Sequence, residues 1–150
     1  MKFRLLMLTI MVLSLVLTAC GGGGGDGDDP SKPVKDFFDA VAKLDADKAG
    51  NAVCSQYRED VKAGMEMLFG LLAMAGGEAK IEIVDLKMKV EDKTDNEAYV
   101  VATSGKMKIT VAGEVQEEEL GDPSERLKVI KEDGKWVICD DAFASDMGGF

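Results

Sequence analysis

The spacing of apolar residues along the chain changes near residue 80. From residue 34 to residue 75, apolar positions recur every three or four residues, which is typical of amphipathic helices. This period predicts a helix that begins near Pro33, a short helix after Asp45 and a long helix over residues 57–75. The second half of the long helix is almost wholly apolar, and Gly76-Gly77 predicts its end.

Beyond residue 80 the period becomes two, which is typical of half-buried strands. Residues 84–90 alternate between apolar and charged side chains, with a predicted bulge near Ile83-Val84 where the phase changes. Residues 98–103 and 107–111 predict further strands. The run Glu117-Glu118-Glu119 predicts an exposed edge or a loop, because charged side chains protect sheet edges from further pairing.

The dipeptide Asp133-Gly134 lies between two apolar runs and is a strong signal for a two-residue hairpin turn. Such a turn pairs Val129 with Ile138 and Lys131 with Trp136. Three helices followed by about four strands predict an α+β domain, in which the helices lie on one face of an antiparallel sheet.

The N-terminal segment has the length of a signal peptide. Lys2 and Arg4 precede an apolar run of about thirteen residues, whereas about twenty are needed to span a bilayer. The run ends in Leu17-Thr18-Ala19-Cys20, which resembles the lipobox of bacterial lipoproteins. The resemblance implies that cleavage before Cys20 leaves this cysteine as a lipid-carrying N-terminus. The alternative is an ordinary secretory signal that happens to precede a cysteine.

These features divide the chain into four predicted parts. Residues 1–19 form the signal peptide, residues 20–30 the lipidated cysteine with a Gly/Asp-rich tether, residues 31–141 the folded domain, and residues 142–150 a loose tail. The five glycines that follow Cys20 favour a flexible tether, because glycine loses the most backbone entropy on ordering. The predicted location is the bacterial cell envelope. In a host with two membranes, the absence of an aspartate at position 21 favours the periplasmic side of the outer membrane. An aspartate directly after the lipidated cysteine would resemble the inner-membrane retention signal, and this chain has Gly21 there.

Charge and composition exclude several classes of function. Lys2 and Arg4 lie in the predicted signal peptide. Without them the chain keeps 16 of its 18 basic residues and has 28 acidic ones, which gives a net charge near −12. Such a charge repels phosphate backbones, so nucleic acid is not an expected partner. The sequence contains no histidine, which removes the usual general base near neutral pH and the commonest metal ligand. We therefore expect no metal and no cofactor.

Two cysteines, Cys54 and Cys139, remain after lipidation of Cys20. Export places them in an oxidising compartment, where an even pair usually forms a disulfide bond. The bond closes a loop of about 85 residues and contributes roughly 4 kcal/mol in the chain-entropy model. The alternative is two separate buried thiols.

Part of the sequence resembles small exported lipoproteins of unknown function in the nuclear transport factor 2-like (NTF2-like) superfamily, also called lumazine-binding-like or cystatin-like. The resemblance covers about residues 31–140 and rests on the following positions: Pro33, Val34, Phe37, Phe38, Ala42, Leu44-Asp45-Ala46-Asp47, Ala49 and the hairpin of residues 131–138. It implies a cone-shaped roll, in which a curved sheet wraps around a long helix and leaves a cavity at the wide end. Enzymatic members place His, Asp or Tyr inside the cone, and this chain offers only Tyr57 and Tyr99 besides its acids.

These observations favour a non-catalytic binding or interaction module held at the membrane by its N-terminal lipid. Methionine adapts to irregular apolar ligands, so a pocket for a small apolar ligand is one hypothesis. Its predicted lining is Met65, Met67, Phe69, Leu72, Met74, Met88, Met107 and Trp136. The alternative is that these side chains fill the core between the helices and the sheet. An envelope protein is the other expected type of partner.

Two further hypotheses stay open. An enzyme without histidine can use a carboxylate whose pKa an apolar cavity raises toward neutral; the candidates are Asp36, Asp85 and Asp140. The pattern of each segment, however, turns these three residues toward water. The last alternative is a structural or assembly role as a homodimer.

Overall fold

The computed structural model describes residues 28–75 and 79–148, and within them the chain has the predicted α+β class. Three helices precede the sheet: α1 (Lys32–Ala42), α2 (Ala46–Asn51) and α3 (Arg58–Met74). A fourth helix, α4 (Asp141–Gly148), follows the last strand. The predicted signal peptide, the lipidation site Cys20 and most of the tether lie outside the described residues.

The described strands form one curled antiparallel sheet of five strands instead of the predicted four. They are β1 (Lys80–Glu91), β2 (Glu97–Val111), β3 (Glu114–Glu119), β4 (Arg126–Glu132) and β5 (Lys135–Ile138). The order across the sheet is β1-β2-β4-β5, and β3 pairs with the far half of β2. The glutamate run 117–119 thus lies on an edge strand.

The turn chemistry predicted the pairing of β4 with β5 correctly, whereas the change of phase along β1 placed a bulge too early. Val129 pairs with Ile138, as the Asp133-Gly134 turn requires. The bulge predicted near Ile83-Val84 lies further along β1, where the register shifts between Val84 and Lys87. Gly105 opposes this bulge with φ of 151°, and a Cβ atom there would lie 3.0 Å from the Cα of Leu86. Only glycine fits such a backbone conformation at such a close approach.

Helix α1 supplies one wall of the hydrophobic core. Its apolar positions recur at helical spacing, so one face is buried while Lys35, Asp36 and Asp39 face solvent. Pro33 suits the first turn because its missing N–H would have no helical partner there. The next helix, α2, begins at Asp45, whose carboxylate accepts a hydrogen bond from the backbone N–H of Lys48 at 3.0 Å.

The prediction of a loose tail over residues 142–150 is wrong for the residues that the structure describes, because α4 folds back onto the core. The Phe143 ring meets the Phe37 ring edge to face, with centroids 5.0 Å apart, and Ala144 is buried. Asp140 caps the helix by accepting from the backbone N–H of Phe143 at 3.0 Å. Tyr57, just before α3, donates a hydrogen bond to Asp141.

The predicted disulfide bond between Cys54 and Cys139 is present, with Cα atoms 5.3 Å apart. The segment before α3 lies beside β5 in the manner of a short parallel strand. The Ile138 N–H donates to the carbonyl of Ala52 at 2.9 Å, and the Cys54 N–H donates to the carbonyl of Ile138 at 2.8 Å. The bond therefore attaches the start of α3 to the far edge of the sheet.

Candidate functional site

Six of the eight residues predicted to line an apolar pocket share one hydrophobic core, whereas Met67 and Met74 are exposed and line no pocket. Met65 and Trp136 are buried within it, and the other four, Phe69, Leu72, Met88 and Met107, are half-buried and pack against it. This is the arrangement that the alternative, a filled core, requires. We therefore looked for binding surfaces on the outside of the domain.

The three carboxylates considered for catalysis lie apart from one another. Asp36 is exposed on α1 and pairs with Lys32 at 3.1 Å. Asp85 is exposed at the β1 bulge. Asp140 is half-buried, contrary to the prediction that alternation turns it toward water, because its two oxygens accept from the backbone N–H groups of Phe143 and Lys128. Its hydrogen bonds give Asp140 a structural task, the joining of α4 to β4.

Ion pairs at the surface hold the lysines and the arginine with raised pKa values in their charged forms, and they do the same for the carboxylates Asp28, Asp45 and Glu117, whose pKa values are lowered. Hydrogen bonds from Lys131 and Lys93 lower the pKa of Asp28 below its ordinary value of 3.8. A hydrogen bond from Lys108 lowers the pKa of Glu117 on the edge strand, and one to Glu119 raises the pKa of Lys106. These shifts move the groups away from neutral pH, whereas a general base needs a pKa near it.

One groove on the surface lies between α1, the end of α2 and β5, with a volume of about 340 Å³. Pro33, Ala52, Trp136 and Val137 give it apolar walls. Its charged and polar lining residues are Asp29, Lys32, Asp36, Asn51 and Lys135. Trp136 is 7% exposed, its indole N–H has no hydrogen-bond acceptor among the residues that the structure describes, and the Lys131 ammonium lies 5.2 Å from the ring centroid. The groove can hold a small group, but its walls bring no nucleophile to a general base.

A second depression, of about 450 Å³, lies beside the disulfide bond. Tyr99, Lys128, Cys139 and Asp140 contribute to its lining. It is wide open, and the sulfur of Cys139 is already bonded, so no reactive thiol faces it. The guanidinium of Arg126 covers the Tyr99 ring at 4.4 Å and takes up its π face.

The second half of α3 carries the largest exposed apolar surface among the described side chains. Met67 is 49% exposed, Leu71 53% and Met74 83%. Their spacing of four and three residues places them on one face of the helix. We call these three side chains the α3 patch. No charged residue occurs between Met67 and Ala75, and the nearest charge on the same helix is the exposed Glu66, directly before Met67.

Sequence reasoning recognised the apolar character of α3 but not which side of it faces solvent. The run from Met67 to Ala75 is apolar around the whole helix, which predicts burial on every side. In the structure α3 packs against α2 and α4, while Met65, Phe69 and Leu72 point toward the core. The opposite face of the same turns has no cover within the described residues.

The described residues offer no other evident type of site. Among them, no group of three or more Cys, Asp or Glu side chains is placed to hold a metal ion. No helix within residues 28–75 and 79–148 has the length and apolar character needed to cross a bilayer.

The sequence matches no protein-family model and no curated protein. Solved structures similar to this chain include Rv3472 from Mycobacterium tuberculosis, a protein of unknown function, with 12% identity and a TM-score of 0.48. That alignment covers 71% of this chain and spans 63% of the length of Rv3472. Another is an NTF-2-like protein of unknown function from Shewanella oneidensis MR-1, with 17% identity and a TM-score of 0.48, over 75% of this chain and 98% of that one.

Proposed function

We propose that this protein is a lipid-anchored lipoprotein of the bacterial cell envelope that works as a non-catalytic interaction module. The observation that carries the interaction role is the α3 patch. Six of the side chains expected to line an internal pocket are instead packed in the core, while the other two, Met67 and Met74, stay in water with Leu71. Exposed apolar patches of this kind mark contact surfaces more often than catalytic ones.

The electrostatics support a non-catalytic role. The sequence lacks histidine, and the carboxyl groups whose pKa values are shifted within the described residues are shifted downward. Carboxylates of that kind stay ionised and solvated at neutral pH, so they are poor proton acceptors. The negative surface charge instead favours a domain that stays away from anionic headgroups.

The anchoring part of the proposal rests on the lipobox-like sequence Leu17-Thr18-Ala19-Cys20. Two or more acyl chains at Cys20 are enough for stable membrane attachment, whereas one chain binds only marginally. Mass spectrometry of the N-terminal peptide from membranes of an expressing bacterium tests this. We expect a peptide that begins at acylated Cys20, and no such peptide from a Cys20→Ser chain. An unmodified N-terminus at Met1 would contradict the proposal.

The interaction part is tested by the mass of the protein in membranes solubilised with a mild detergent. We expect wild type to migrate in an assembly larger than one chain. Leu71→Glu introduces a charge into the α3 patch and should return the protein to the mass of a single chain. Val115→Glu is the matched control, because Val115 is an exposed apolar residue, 58% exposed, on β3 instead of α3. A single-chain mass for wild type and both variants would rule out an interaction through α3.

A further inference from the structure

We infer that the free edge of β5 beside Trp136 binds an extended peptide segment of another protein, which pairs with the backbone of Trp136 as an added strand. The inference depends neither on the α3 patch nor on the lipid anchor. The direction of the backbone groups along β5, the groove beside them and the charge of the chain support it.

The register of the last hairpin decides which backbone groups of β5 face away from the sheet. Ile138 directs both of its groups outward, since its N–H donates to the carbonyl of Ala52 and its C=O accepts from the N–H of Cys54. Its pair with Val129 is therefore a non-hydrogen-bonded one, and such pairs alternate with hydrogen-bonded ones along an antiparallel ladder. Trp136, two residues earlier, consequently also points its N–H and C=O away from β4.

The two outward backbone groups of Trp136 have no hydrogen-bond partner among the described residues. Residues 52–54 cover the edge of β5 only at Ile138, because Asn51 and the residues before it belong to α2 and leave the strand direction. A strand edge with unpaired N–H and C=O groups is a template for another extended chain. Main-chain hydrogen bonds to such an edge are a recurring way in which proteins bind peptides.

The groove beside this edge leaves room for the added chain. It is the groove of about 340 Å³ between α1, the end of α2 and residues 135–137 of β5, and its volume lies within the range of ligand sites. A further depression of about 290 Å³ continues it along α1, since Asp36, Asn51 and Ala52 line both. A peptide that pairs with Trp136 therefore has a path out of the groove along α1.

The indole of Trp136 is a second sign that this edge is incomplete. Its N–H is buried and has no acceptor within the described part of the chain, although few buried polar groups of folded proteins stay unpaired. The residue lines the same groove as the outward backbone of β5. A peptide backbone in the groove supplies carbonyl groups, which are the acceptors that this region lacks.

The charge of the chain favours a peptide with basic residues. The groove itself is balanced, because two aspartates and two lysines line it: Asp29, Asp36, Lys32 and Lys135. The whole chain, however, carries 28 acidic residues against 18 basic ones, and such a surface attracts basic segments. The extended conformation that the edge requires is favoured by β-branched residues. We therefore expect a segment in which β-branched residues lie between basic ones.

Hydrogen exchange of the full chain in a non-ionic detergent tests whether the edge is free. The backbone amide of Trp136 should exchange at least about tenfold faster than that of Ile138, because only Ile138 donates to a carbonyl. A Trp136 amide that is as protected as the Ile138 amide would mean that the chain itself already covers this edge, and would overturn the inference.

Binding is tested with the acetylated and amidated peptide Lys-Thr-Val-Thr-Lys at millimolar concentration. The peptide should shift the NMR signals of the Trp136 amide and of the indole N–H, which is unique because the chain has one tryptophan. It should also slow the exchange of the Trp136 amide by at least about tenfold. The control is the same peptide N-methylated at its three central residues, which has no N–H groups there to donate. No change at Trp136, or equal changes with the control, would refute strand addition.

Replacing both lysines of the peptide by glutamates tests the preference for basic residues. The shifts at Trp136 should become smaller, because the acidic chain repels the glutamates. Equal or larger shifts with the glutamate peptide would contradict a basic partner.

A matched pair of variants tests whether the peptide occupies the groove. Asn51→Phe places a large side chain at the groove wall and should abolish the shifts that the peptide causes. Asn96→Phe is the control, because Asn96 is also an exposed asparagine but lies in the turn between β1 and β2; its shifts should equal those of wild type. Loss of the shifts in both folded variants, or in neither, would contradict binding in the groove.

Discussion

Helices α1 and α3 have similar apolar content, but the fold uses them differently. In α1 the apolar side chains form one face that the sheet and α4 bury, and the opposite face is charged. In α3 only Val61, Gly64 and Met65 are fully buried, all in the first half, while the second half is apolar all round and exposed on one side. The difference shows that the apolar face of α1 is buried by the rest of its own chain, whereas α3 has more apolar surface than the described fold covers.

The largest expected effect tests the difference in burial between α1 and α3. Phe37→Ala in α1 removes a ring that is 3% exposed and contacts Phe38 and Phe143, so we expect a loss of about 3–5 kcal/mol in the free energy of unfolding. Leu71→Ala is the matched change in α3 and should cost less than about 0.5 kcal/mol. Chemical denaturation of the purified monomer measures both. Equal losses would mean that the α3 patch is covered by the chain itself.

The next effect concerns the attachment of α3 to the sheet. Replacing Cys54 and Cys139 by serine removes a bond that closes a separation of 85 residues, and we expect a loss of up to about 4 kcal/mol. The loss should be accompanied by faster hydrogen exchange in the first turns of α3, because the bond lies directly before that helix. A double variant as stable as wild type, with unchanged exchange in α3, would contradict the role that we assign to the bond.

A pair of glycine substitutions sharpens the comparison with effects of opposite sign. Gly70→Ala should stabilise the monomer by up to about 1 kcal/mol, since alanine favours the helix and the new Cβ meets nothing. Gly50→Ala should instead destabilise by about 1 kcal/mol, because its Cβ would lie 3.2 Å from the carbonyl oxygen of Arg58. Stabilisation by both substitutions, measured by chemical denaturation, would contradict this account.

The smallest effect concerns the ion pairs that hold the chain just before α1. Asp28 contacts Lys131 and Lys93, and these contacts lower its pKa below 3.8. A carboxyl with a lowered pKa stabilises the folded state above its ordinary pKa, and the contribution is lost as the pH falls through the lowered value. Asp28→Asn should therefore lower the melting temperature slightly at pH 7 and leave it unchanged in stronger acid. The control is Asp95→Asn, in the turn that carries Lys93. An equal change in the melting temperature of both variants at pH 7 would contradict the role that we assign to the ion pairs of Asp28.

Local signals predicted the parts of the fold that depend on neighbouring residues. The Asp133-Gly134 turn was enough to specify the register of its hairpin, because a two-residue turn leaves one pairing of the strands. The cap at Asp45 was likewise read from the sequence, since the capping contact spans only three residues. The α+β class followed from the change of period near residue 80.

Signals that depend on distant residues were missed or misplaced. The last helix looked like a loose tail because its few apolar residues become helical only when Phe143 meets Phe37, more than a hundred positions earlier in the chain. The bulge was placed too early because its position is decided by the close approach of Gly105 to Leu86 on another strand. The prediction for Asp140 missed its burial for the same reason, since one of its donors lies on β4.

The sequence by itself determined where the first three helices and most of the strands form, which two cysteines remain to pair within the domain, and that an acidic, histidine-free domain follows a lipobox-like segment. Those properties depend on residue types and on short-range spacing. Only the tertiary structure decided that Met65 and Trp136 are core while Met67, Leu71 and Met74 face solvent. The physical reason is that an all-apolar helix has no preferred face of its own. The helices and strands packed around it choose which side is buried and which side is left for a partner.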